Sequence, residues 1–186
     1  MSQRPTLTAS TANTKRRALL AVLGALPFGA TGTPAPDIGT SPLAFAIARR
    51  YRVEPSAVER VITLAEKYFP ADPQLLLAIV GVESSWRPWA VGQAGEVGLC
   101  QVRPDMHGAS ATALADPTVN IRTAGRVLRQ CLVRARGDVA GAARRYNGRG
   151  APAEEYAGRV LAEREILFAM MEASNPWSPL DPAKAD

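Results

Sequence analysis

The sequence has one histidine, two cysteines, few aromatic residues and no acid before Asp37. Each scarcity excludes something. A lone imidazole, His107, cannot build a metal site without clustered acids or thiols, so it reads as a loop residue and no metal is expected. The same shortage leaves no arrangement for a nucleophilic triad. With 6% aromatics and no basic stripe interleaved with them, nucleic acid is discounted as a partner.

The formal charge of +5 agrees once its source is located. Residues 1–30 hold Arg4, Lys15, Arg16 and Arg17 and no acid, which leaves 18 bases against 17 acids in the remainder. A charged stretch followed by an apolar run from Ala18 to Ala30 has the form of a secretory signal and is too short for an ordinary transmembrane helix. Cleavage near Ala30 would place an exported chain in the periplasm or cell envelope, with no integral membrane span after processing. An uncleaved N-terminal anchor is the alternative. Arg16-Arg17 before Leu19 and Leu20 is faintly similar to a twin-arginine signal.

The expected organisation is a signal peptide or anchor at 1–30, a Thr-, Pro- and Gly-rich linker at 31–41, one domain at 42–172, and an unfolded proline-rich tail at 173–186. The domain reads as helical throughout. Leu43, Ile47 and Tyr51 suggest a first short helix, and Glu54-Pro55 opens a second with Val58, Val61, Ile62 and Ala65 inward. Asp116-Pro117 caps a helix over about 118–136, in which Asn120 and Ile121 begin the buried side and Gly125 admits a neighbour. Gly137-Asp138 starts another, ending at Asn147-Gly148. A last helix spans about 153–172.

The chain is organised around Pro73 to Val102. Asp72 is a good N-cap, Pro73 suits the first helical position, and Leu75, Leu76, Ile79 and Val80 follow at helical spacing. Glu83 falls on the same stripe in the last turn, with Arg87-Pro88 expected to end the helix. Apolar surroundings and the negative end of the helix dipole both disfavour a charged carboxylate, so its pKa should be raised. A carboxyl group still protonated near neutral pH can act as the general acid in glycosidic cleavage. A buried Glu held by an Arg or a backbone donor is the structural alternative. Gly92, Gly95 and Gly98 follow in a loop that permits close approach of a ligand to the main chain.

This stretch resembles the catalytic domain of the soluble-type lytic transglycosylases, lysozyme-like enzymes that cut bacterial peptidoglycan. Against their pattern E-S, aromatic, N-P, A-x-S-x-x-G-A-x-G-L-M-Q the chain reads, without a gap, Glu83, Ser84, Trp86, Arg87, Pro88, Ala90, Gly92, Gly95, Glu96, Gly98, Leu99, Cys100 and Gln101. Two further segments match: DPTVNIRTAGRVLRQCL resembles D-P-x-x-N-I-x-x-G-x-x-x-L, and the run ending in Tyr146-Asn147-Gly148 resembles A-x-x-A-Y-N-A-G.

The resemblance implies a mainly α, lysozyme-like single helical domain with the glycine-rich loop beside the active-site cleft. It implies a lyase that cleaves the β-1,4 bond between N-acetylmuramic acid and N-acetylglucosamine and forms a 1,6-anhydromuramyl product. Glu83 would be catalytic, Ser84, Gly98, Gln101, Tyr146 and Asn147 would lie at the substrate, and no cofactor is implied. The partner would be the peptidoglycan glycan strand, and small enzymes of this kind often serve a secretion or conjugation apparatus.

Three departures stand out. Gly92 replaces a Ser whose hydroxyl helps position substrate. Glu96 replaces an Ala and could be a second carboxylate that activates water, as in a hydrolase. Cys100 replaces a Met. A hydrolase and a non-catalytic wall-binding accessory component therefore remain as alternative functions.

Cys100 and Cys131, 31 positions apart, form a candidate disulfide in an exported chain, stabilising by roughly 3.5 kcal/mol. Two buried thiols are the alternative.

Overall fold

A computed structural model describes residues 39–148 and 150–175. The signal or anchor, the linker before Gly39 and the tail beyond Asn175 lie outside the described residues. Among the described residues eight helices follow in order: α1 (Pro42–Tyr51), α2 (Pro55–Tyr68), α3 (Pro73–Ser84), α4 (Pro104–His107), α5 (Ala111–Leu114), α6 (Pro117–Arg134), α7 (Val139–Asn147) and α8 (Ala151–Ser174). The chain is mainly helical. None of the described helices is long and apolar enough to cross a membrane.

Helix starts follow local chemistry. Ser41, Asp72, Asp116 and Asp138 each accept a backbone N–H of the turn they precede, and Pro stands in the first turn of α1, α2, α3 and α6. Glu54 precedes α2 without a side-chain cap. Asp72 has a second role. Its carboxylate caps Leu75 N–H at 3.0 Å and accepts from Arg164 of α8 at 2.9 Å, so one side chain starts α3 and ties it to the last helix.

The sequence pattern treats α3 as one-sided, but every residue from Leu75 to Gly81 is buried. The reason is its position: α3 packs against α8, α2 and α6, while α8 also packs against α1 and α7. A helix enclosed on all sides has no solvent face to keep polar. Close approach is possible at Gly81, where a Cβ would lie 2.8 Å from the Tyr51 hydroxyl. Gly125 admits a neighbour as expected, its Cβ position being 3.1 Å from the Tyr68 carbonyl oxygen at the end of α2.

Several boundaries differ from expectation. Helix α3 ends at Ser84, not at Arg87-Pro88, because Ser85 (φ 51°) and Trp86 (φ 65°) turn left-handed first. His107 closes the short helix α4 and is not in a loop. Ala173 and Ser174, assigned to the tail, continue α8. Cys100 and Cys131 are both buried and free, so the disulfide is absent and the two-thiol alternative describes the structure.

Candidate active site

Glu83 is the penultimate residue of α3 and is 8% exposed. The left-handed Ser85 and Trp86 reverse the chain directly after it, and Trp86 tucks into the core with its ring 6.0 Å from that of Tyr51. Tyr51 in turn donates to the buried carboxylate of Glu163, which Arg50 also meets at 3.3 Å. Helices α1 and α8 are thus joined just behind the turn that carries Glu83.

The chain then forms the glycine-rich loop. Its ends are pinned by Gly92 N–H donating to Glu96 O (2.8 Å), Gly98 N–H to Ala90 O (2.8 Å), and reciprocal bonds between Val97 and Val102 (3.0 and 3.1 Å). Underneath, Asn120 of α6 holds the loop from three sides. It accepts from Cys100 N–H (2.9 Å) and donates to the carbonyls of Val97 and Leu114 (both 2.8 Å). A fully buried amide must find such partners or destabilise the core, and here it finds three.

Two buried side chains and one partly buried one feel the Glu83 carboxyl group. Burial pushes the Cys100 thiol well up, with Glu83 adding to it. Burial likewise raises Tyr156 of α8, and Glu83 is the next cause. Tyr146 of α7 is raised by burial, then by Cys100 and Glu83. Cys100 of the loop, Tyr146 of α7 and Tyr156 of α8 thus lie near enough to Glu83 to sense its carboxyl group. The Tyr156 hydroxyl interacts with that carboxyl group, although no well-formed hydrogen bond to this hydroxyl is present among the described residues.

The structure redistributes the other expected site residues. Ser84 is 2% exposed and donates back to Val80 O at 3.1 Å, so its hydroxyl is satisfied within α3. Gly98 (φ 78°) faces inward: a Cβ there would collide with Asn120 Nδ2 and sit 2.8 Å from Leu114 O. The missing side chain leaves room for the Asn120 amide. The Tyr146 hydroxyl donates to Cys100 O at 3.0 Å, not to the Glu83 carboxyl group. Gln101 donates to Ala90 O and Gly98 O, both at 3.0 Å, which makes it a brace of the loop. Asn147 ends α7 and is partly buried. Glu96 is partly exposed and accepts from Ala94 N–H at 3.0 Å.

Sequence reasoning missed Asn120 as a clamp and Tyr156 as a neighbour of Glu83. A buried-side Asn signals a need for partners, and a Tyr among apolar positions signals a polar tip, but neither names the partner.

The Transglycosylase SLT domain family matches residues 60–165, more than half the chain, and the chain belongs to that family. The match runs from within α2 into α8 and so contains Glu83 with Cys100, Tyr146 and Tyr156. A protein named "Transglycosylase" from Enterobacteria phage PRD1 is 33% identical over 114 residues, covering 58% of this chain and 43% of that protein. The chain thus corresponds to under half the length of this relative.

Proposed function

We propose that this protein is a peptidoglycan lytic transglycosylase, with Glu83 as its acid and base. The observation that carries the reading is the burial of Glu83 at the C-terminal end of α3, within electrostatic reach of Cys100 in the loop, Tyr146 of α7 and Tyr156 of α8. Membership of the SLT family and the name of the phage relative support the same chemistry.

In this mechanism Glu83 gives its proton to the oxygen of the β-1,4 bond between N-acetylmuramic acid and N-acetylglucosamine, and the bond breaks as oxocarbenium character develops. The carboxylate then takes the proton of the muramyl C6 hydroxyl, whose oxygen attacks C1. A 1,6-anhydro ring forms, Glu83 is reprotonated and no water is consumed. A second carboxylate is unnecessary because the substrate supplies the nucleophile. No cofactor enters these steps.

Export to the cell envelope, by the N-terminal charged and apolar stretch, belongs to the same proposal, since the substrate lies there. Local wall opening for a secretion or conjugation apparatus is the physiological setting that a small enzyme of this kind would suit.

The test is digestion of purified peptidoglycan beside a Glu83→Gln control, with the released muropeptides weighed. Products one water lighter than ordinary muropeptides, absent from the control, are expected. Hydrated products would replace this reading with a hydrolase. Wall binding without products from folded protein would replace it with an accessory role.

A further inference from the structure

Two side-chain oxygens converge on Gly92. Its φ lies outside the left-handed region, so the backbone would accept any residue, and space alone excludes a side chain. A Cβ there would run into the Glu96 carboxylate and lie 2.7 Å from Gln101 Oε1.

The orientation of the Gln101 amide is decided by its partners. Its nitrogen meets two carbonyl oxygens, Ala90 O and Gly98 O, and the flipped amide would set oxygen against oxygen. Oε1 must therefore point towards Gly92. On the other side Glu96 is held by Ala94 N–H, and its own carbonyl accepts from Gly92 N–H at 2.8 Å. Among the described residues no donor bonds Gln101 Oε1, and Ala94 N–H is the donor on the Glu96 carboxylate. Both side chains are partly exposed. A carboxylate and an amide oxygen cannot satisfy each other, so this surface calls for a donor from outside.

We propose that Glu96 and Gln101 form an acceptor pair, made possible by the absence of a side chain at Gly92, that binds an acetamido N–H or hydroxyl of the sugar and sets its position. This rests on the saccharide-cleaving reading above. It makes Glu96 a substrate-binding residue, not a base for water.

The experiment measures KM and kcat of the full chain on peptidoglycan for Glu96→Ala, Gly92→Ser and the double variant, with melting temperatures as a fold control. Glu96→Ala should raise KM roughly tenfold, the effect of losing a charge-assisted hydrogen bond, with kcat within about twofold. Gly92→Ser should impair binding because its side chain displaces the carboxylate. The double variant should outperform Gly92→Ser, since the hydroxyl then enters vacated space and offers its own lone pairs.

An unchanged KM for Glu96→Ala, or strictly additive effects, would overturn the pair. A fall in kcat alone, with a change between anhydro and hydrated products, would make Glu96 a base and overturn it too. If the wild type cuts nothing, the lytic reading fails separately. Calorimetry with a tetramer of N-acetylglucosamine then decides the pair: weaker binding by Glu96→Ala supports it, and equal binding or none by the wild type ends it.

Discussion

The hydroxyl of Tyr146 donates to the backbone carbonyl of Cys100 at 3.0 Å across 46 positions of sequence. This bond fastens the end of α7 to the glycine-rich loop at the residue before Gln101. The Tyr is therefore a brace for the loop, and Glu83 gains its surroundings partly through that brace.

Replacing Tyr146 by Phe should destabilise the fold by about 1 kcal/mol, the worth of one intramolecular hydrogen bond, and lower the melting temperature by a few degrees. Activity on peptidoglycan should fall several-fold more than this destabilisation explains. Thermal unfolding and kinetics on the same preparation check both.

Asn120→Leu should be far more damaging. It leaves Cys100 N–H and the carbonyls of Val97 and Leu114 without their partner, for a loss on the order of 3 kcal/mol or more. Denaturant unfolding should show it, and a midpoint close to wild type would contradict the clamp.

High pH should unfold the protein through its tyrosines. Burial and the Glu163 carboxylate push Tyr51 from 10.0 up to about 12, and Tyr146 and Tyr156 are raised further by burial. Because these folded-state values exceed the unfolded value, the stabilisation is complete below pH 10. It is lost as pH climbs through about 12. Tyrosinate absorbance should appear together with loss of helical circular dichroism, not before it.

Both cysteines should behave as free thiols. Burial raises Cys100 and Cys131 alike, so a thiol reagent at neutral pH should react slowly with folded protein. It should find two thiols per chain after denaturation without reductant. Finding none there would restore the disulfide.

The near-neutral balance after residue 30 hides a segregation of charge. Residues 117–149 carry eight arginines and one acid, while the rest of 31–186 carries ten bases and sixteen acids. Arg122, Arg126, Arg129, Arg134, Arg136 and Arg145 are exposed. A chain trimmed of residues 1–30 should bind a cation exchanger at pH 7 and low salt, and elute above about 0.1 M as screening shortens. Passage without retention would count against a one-signed face.

Much of this was legible in order of residues alone, where the deciding forces are local. The caps at Asp72, Asp116 and Asp138, the prolines beside them and the apolar spacing set where helices begin, because a cap bonds within its own turn. The E-S to Gln101 register located Glu83 and its loop, because that stretch is continuous. Local signals could not determine what surrounds a side chain. The burial of α3 on every side, the inward turn of Ser84 and Gly98, the bond from Tyr146 to Cys100 and the meeting of Glu96 with Gln101 all depend on groups distant in sequence or on the exact path of a loop. Hydrogen bonds act only over a few ångströms, so which donor meets which acceptor is decided by the packing of helices, and that packing is settled only when the whole core closes.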